Sequence, residues 1–310
     1  MAAVSTSVRL RRALAALVMC SAGLEAFLDA GLNARTTSDG VQARATSAPH
    51  RIVSLVPATT EMLFAMGAGN LVIGVSSYDR YPLEVDRLPK LGGLLDPNVE
   101  RLLALEPDLV VVYNTQTDLK QQLERAGIPI FGYVHRGLPD ITQTIRALGT
   151  RVGVEAGAAA LADRIQRDLH EVSTRVAGRA PPKTLLVFGR EPGSLRNVEA
   201  SGGYGFLHDM LEAAGGADAL ADIKRESVQM STEMILARAP EVIIDLHYGT
   251  SLRSDRVDVE RRVWDRLPGV PAVKSGRVYL LMGDEFVVPG PRIVEAVRRF
   301  AQVLHPEVWR

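Results

Sequence analysis

The stretch LDPNVERLLALEPDLVVVY at residues 95–113 returns without a gap as VQMSTEMILARAPEVIIDLH at residues 228–247, with Glu100 on Glu233, Ala104 on Ala237, Pro107 on Pro240 and Asp108 on Glu241. Each copy reads as a short helix stopped by proline, then a run apolar on both faces. Such a run suits a strand covered on both sides of a parallel sheet. A chain that makes the same helix-to-strand step twice is expected to form two similar α/β lobes.

The flanking sequence extends the pattern. RIVSLV, PATTEMLFAMGAG and LVIGVSS alternate as strand, helix and strand; NVERLLALEP, DLVVVY, LKQQLERAG and IPIFGYV continue the alternation. The second lobe restarts at KTLLVFG, passes through the helix GFLHDMLEAAGG and the repeat, and reaches GRVYLLMG, in the order of the first. Between them, Leu161, Ile165, Leu169, Val172 and Val176 fall on one helical stripe, which predicts a rigid spine of roughly 35 Å. The expected fold class is α/β, two open lobes joined by one long helix, with the ligand cleft between them. Residues 51–152 form the first lobe, 153–179 the spine and 180–310 the second lobe.

Residues 1–33 read as an export signal: Arg9, Arg11 and Arg12 precede an apolar run from Ala13 to Leu24 that is short for a bilayer span. The only cysteine, Cys20, lies inside that run. Met19 stands where a lipoprotein signal wants a small residue, so Cys20 reads as passed over, with lipidation as the other reading. Residues 34–50 are polar and aperiodic, which predicts a disordered tether. Lys plus Arg and Asp plus Glu are equal at 36 each, so no overall field points to nucleic acid or an anionic membrane surface.

Ligands of open α/β sheets bind beyond the carboxyl ends of the strands. Pro57, Tyr78 and Tyr113 in the first lobe and Arg190, His247, Asp284 and Phe286 in the second follow apolar runs and are the candidate ligand-binding residues. His135, His208 and His247 sit on three separate elements with no cysteine among them, which does not make a zinc or manganese site. GAGNLVIG follows a helix and precedes a strand, the reverse of a dinucleotide fingerprint, and neither a G-x-S-x-G elbow nor a P-loop appears. No catalytic residue is expected, and an exported two-lobed enzyme is kept as a distant alternative.

SLVPATTEMLFAMG, GVSSYDRYP, LPKLGG with NVERLLALEPDLVV, and GDEFVVPGPRIVEAV, in this order, resemble the substrate-binding proteins of ABC importers for metal chelates, the class that serves cobalamin, ferric siderophores and haem. Within that class the sequence is most similar to the cobalamin branch, through VGVSSYDRYP and PGPRIVEA. The resemblance implies a monomeric exported receptor, periplasmic or tethered to the membrane, and the continuous spine helix predicts little hinge motion. It implies a cobalt or iron chelate as ligand, no permanently bound cofactor, and permease subunits of the inner membrane as partners. It places Tyr78 beside the ligand and Asp284 where it would accept hydrogen bonds from ligand amides. By the same resemblance Glu100 and Glu233 dock onto arginine clusters of the permease; their own positions, two after Asn98 and Ser231, also suit a carboxylate in a first helical turn. Where cobalamin binders carry tryptophan, this chain has Leu94, Tyr113 and Ser227, and Trp264 and Trp309 read as packing residues.

Overall fold

The computed structural model describes residues 48–248 and 254–309; the export-signal region with Cys20, and the tether as far as residue 47, lie outside the described residues. The first lobe runs β1 (Ile52–Ser54), α1 (Pro57–Ala65), β2 (Val72–Val75), α2 (Val99–Leu103), β3 (Leu109–Tyr113), α3 (Thr117–Arg125) and β4 (Ile130–Tyr133). Its strands form one parallel sheet in the order β2-β1-β3-β4. All five residues of β3 are buried, as an inner strand with helices on both faces requires.

Two helices follow, α4 (Leu138–Val152) and α5 (Glu155–Val176). The spine is α5, 22 residues and about 33 Å long. Ala158, Leu161, Ala162, Ile165, Val172 and Val176 are buried along its inner stripe. It packs on α4 over much of its length. One apolar cluster takes in Val111 of the first sheet, Leu161 and Ile165 of the spine, and Phe188 and Phe300 of the second lobe, so the core is continuous between lobes.

The second lobe contains β5 (Lys183–Gly189), β6 (Val198–Ser201), α6 (Phe206–Ala213), β7 (Ala217–Asp218), β8 (Ser227–Met230), α7 (Thr232–Arg238), β9 (Val242–His247), α8 (Ser254–Arg262), α9 (Pro271–Lys274), β10 (Val278–Met282) and α10 (Ile293–Leu304). Its parallel strands lie in the order β7-β5-β9-β10, the counterpart of β2-β1-β3-β4. The expectation that both lobes carry the same elements fails at one edge. There β7 reaches only Lys183 and Thr184 of β5, and the antiparallel pair β6 and β8 takes up the remaining edge, supplying partners to backbone groups that would otherwise be bare.

The repeat is structural down to its hydrogen bonds. Asn98 caps α2 by accepting from the Arg101 amide at 2.9 Å, and Ser231 caps α7 by accepting from the Met234 amide at 3.2 Å. Glu106 and Ala239, one before each proline, both adopt a left-handed backbone with φ of 47°. The acid after each proline then fastens the first strand of its own lobe. Asp108 accepts from the amides of His50 and Arg51 at 2.8 Å each, and Glu241 from that of Lys183 at 2.9 Å.

Candidate functional site

In the first lobe the chain leaves β1 toward β2 on one side and reaches β3 on the other, so a crevice opens where these connections diverge. The β2 end is shaped by a turn. The Ser76 amide donates to Asp79 Oδ2 at 2.9 Å, the Asp79 amide to the Ser76 carbonyl at 3.2 Å, and the Tyr78 amide to Ser76 Oγ at 3.0 Å. Tyr78 is thereby presented half-buried over Gly93, where a Cβ would run into its ring. Burial, and secondarily the charge of Asp96, raise its phenol pKa.

Beneath this turn lies a polar cluster within the core: Ser54, Thr59, Thr60, Ser76 and Asp79 are each 3% exposed or less. Thr60 Oγ1 donates to Ser54 Oγ at 2.8 Å, and Asp79 Oδ1 is buried without a hydrogen-bond partner. Burial pushes the Asp79 carboxyl up to about 7, against the opposing influence of Thr60, Ser76 and Lys90.

From the end of β3 a line of rings runs to the other lobe. Tyr113 meets Tyr133 edge-on at 5.9 Å, Tyr133 stacks on His135 at 6.2 Å, and His135 meets Phe206 of α6 edge-on at 5.0 Å. Both nitrogens of His135 are shielded and lack a partner, and burial lowers its pKa to about 4. Beside it, the Leu138 amide donates to Asp209 Oδ2 of α6 at 2.9 Å.

A second joint lies at Glu61 and Arg292. The guanidinium of Arg292 meets both carboxylate oxygens of Glu61, at 3.0 and 2.6 Å, reaches Glu285 at 3.4 Å, and lies 4.2 Å above the Tyr81 ring. Burial dominates in raising the Glu61 pKa, with Arg292 opposing it. Both residues stand in stretches that carried the family resemblance, ATTEMLF and PGPRIVEAV, but nothing in either stretch names the other as its partner.

Two expected ligand residues are committed elsewhere. Arg190 has a side chain 1% exposed; its Nε donates to Asp245 at 2.8 Å and its Nη1 to Glu260 at 2.7 Å. Desolvation would raise the Asp245 pKa, but His247 and Arg190 together bring it below the ordinary value. Phe286 is fully buried and stacks on Phe300 at 5.5 Å, a core contact. His247 is also buried, its Nε2 3.3 Å from Asp245, and Pro57 is buried as the first residue of α1. Asp284 is half-buried beside Glu285, Tyr113 is buried at the end of β3, and Glu100 and Glu233 are exposed on α2 and α7. Trp264 is core, donating to Asp245 at 2.9 Å. Among the described residues no three His, Cys, Asp or Glu side chains converge as a metal site. Nor is any described helix long and apolar enough to cross a membrane.

Two like sheets, joined through one core, with strand-end loops meeting across the joint, are the architecture of a two-lobed substrate-binding protein. A model of the periplasmic binding protein family matches residues 52–285, and the chain belongs to that family. The ABC transporter substrate-binding lipoprotein YvrC of Bacillus subtilis is 30% identical over 267 residues, covering 84% of this chain and 82% of its own. The vitamin B12-binding protein of Yersinia pestis is 30% identical over 258 residues, covering 82% and 86%. Among solved structures, a possible iron-binding solute-binding protein of Staphylococcus epidermidis has a TM-score of 0.70 at 26% identity, covering 83% of this chain and 99% of the other. The vitamin B12-binding protein BtuF of Vibrio cholerae has 0.72 at 23%, covering 85% and 99%, a likeness of fold alone. These relatives are binding proteins rather than enzymes.

Proposed function

We propose that this protein is the exported receptor of an ABC importer and that it holds a metal-containing chelate, a corrinoid first, between residues 51–152 and 180–310. The observation that carries the reading is the joint: a continuous core along α5 and the Glu61–Arg292 pair fix the lobes around the crevice at Tyr78. A large rigid macrocycle fits a cleft that is already formed, because little ordering is needed on binding. The names of the relatives, which bind vitamin B12 or possibly iron, support the chelate class. Tyr78, Tyr113 and Asp284 are the residues proposed to touch it. The partner is a permease of the inner membrane, met through Glu100 and Glu233. Ferric siderophores and haem are the alternative ligands.

The test is thermal unfolding with cyanocobalamin, cobinamide, haem and a panel of ferric siderophores. A true ligand at a hundred times its Kd adds about 2.7 kcal/mol. Stabilisation by a corrinoid supports the first choice, stabilisation by haem or a siderophore moves the assignment, and turnover of any of them overturns the receptor reading.

A further inference from the structure

The repeat at residues 95–113 and 228–247 divides by burial. Leu102 and Ile235 are fully buried, Pro107 and Pro240 are buried behind the two left-handed residues, and Asp108 and Glu241 fasten the neighbouring strands. The fold accounts for all of these. On the outer face it accounts only for the two glutamates, as carboxylates in a first helical turn; there Glu100, Leu103 and Ala104 in one lobe and Glu233, Leu236 and Ala237 in the other spell the same E-x-x-L-A and are all exposed. Leu103 is 38% exposed and Leu236 43%. Positions i, i+3 and i+4 share one side of a helical turn. A single exposed leucine is ordinary. Here it recurs beside the same glutamate and alanine while neighbours have diverged, Arg101 to Met234, Leu105 to Arg238 and Glu106 to Ala239.

We propose that Leu103 with Ala104, and Leu236 with Ala237, are the apolar centres of two equivalent docking patches. Two copies of one footprint on one chain call for two copies of one receiving surface. The partner is therefore a pair of like subunits, each with an apolar pocket beside a cation. The inference rests on the transporter reading and extends it: the leucine supplies the desolvated centre, and the glutamate orients the contact from the rim.

The experiment measures binding of the receptor to its cognate permease in lipid nanodiscs. Leu103→Ser and Leu236→Ser should each weaken binding about tenfold, the double variant more, and Leu→Ile at both sites should restore it. Val259→Ser, at a residue 57% exposed on α8, is the control and should bind normally. Melting temperatures should match throughout, because neither leucine is core. If the double serine variant binds as tightly as the parent while Glu100→Ala with Glu233→Ala does not, docking rests on the glutamates alone and this inference is wrong. An effect confined to one leucine overturns the equivalence of the patches. If neither pair of variants changes binding, the transporter reading of this surface fails along with it.

Discussion

Replacing Asp79 by asparagine should change how stability depends on pH. In the fold Asp79 titrates near 7, in the unfolded chain near 3.8. The folded state therefore holds the proton more tightly, and stability is lost as pH rises from about 4 to about 7. A gap of about three pH units at 1.36 kcal/mol each makes that loss about 4 kcal/mol. His135 acts in the opposite sense. Its folded pKa of about 4 lies below the unfolded 6.5, so stability is gained as pH rises through the same window, by about 3 kcal/mol. In the parent these two contributions oppose each other, alongside those of the other carboxylates whose pKa values the fold shifts. Asp79→Asn removes the falling one, and the variant should be more stable than the parent at about pH 8, by somewhat less than 4 kcal/mol because the new amide also needs partners. Urea unfolding followed by tryptophan fluorescence between about pH 4 and pH 8 gives both curves, and in their difference every other titration cancels. A flat difference curve would refute the reasoning, since Asp79 would then ionise in the fold as it does in water.

Arg190→Ala should cost about 3–5 kcal/mol by leaving Asp245 and Glu260 without their cation, and a loss under about 1 kcal/mol in denaturant unfolding would count against the buried network. Arg292→Ala should destabilise by a few kcal/mol at neutral pH. That loss should shrink on acidification, because Glu61 takes up a proton readily once its partner is gone; a loss independent of pH would contradict the joint as described. Tyr78→Ala should weaken capture of the chelate by about 1–3 kcal/mol in calorimetry while leaving the unfolding midpoint nearly unchanged. Unfolding without loss of affinity would make Tyr78 a core residue.

What could be read from sequence follows the range of the forces involved. The alternation of strands and helices, the caps at Asn98 and Ser231 and the stripe of α5 are set by neighbours a few residues apart, and they are where the residues place them. Ile141, Ile145, Leu148 and Val152 had the spacing of a core helix as well, and α4 follows from it. The strands β6 and β8 carry a weaker signal. VEAS and SVQM are short, and they exist because β5 has an edge to cover, which is a property of the sheet. In the site, a position after a strand does not tell which way a side chain turns. Arg190 turns inward because Asp245 and Glu260, 55 and 70 residues away in the chain, wait there. Glu61 and Arg292 are separated by 231 residues, and no local pattern joins them.

The seam between the spine and the first lobe includes two places where a glycine lets the helices close in. A Cβ on Gly157 of α5 would strike the Met66 carbonyl at the end of α1, and one on Gly149 of α4 would strike Ala158. The spine therefore works as a lever whose fulcrum is bare backbone. A methyl group added at position 157 alters no residue of the cleft, yet it pushes on one end of a rod about 33 Å long and tilts everything the far end carries. Substitution at Gly157 should therefore be felt at the far end of the spine as well as at the contact it crowds.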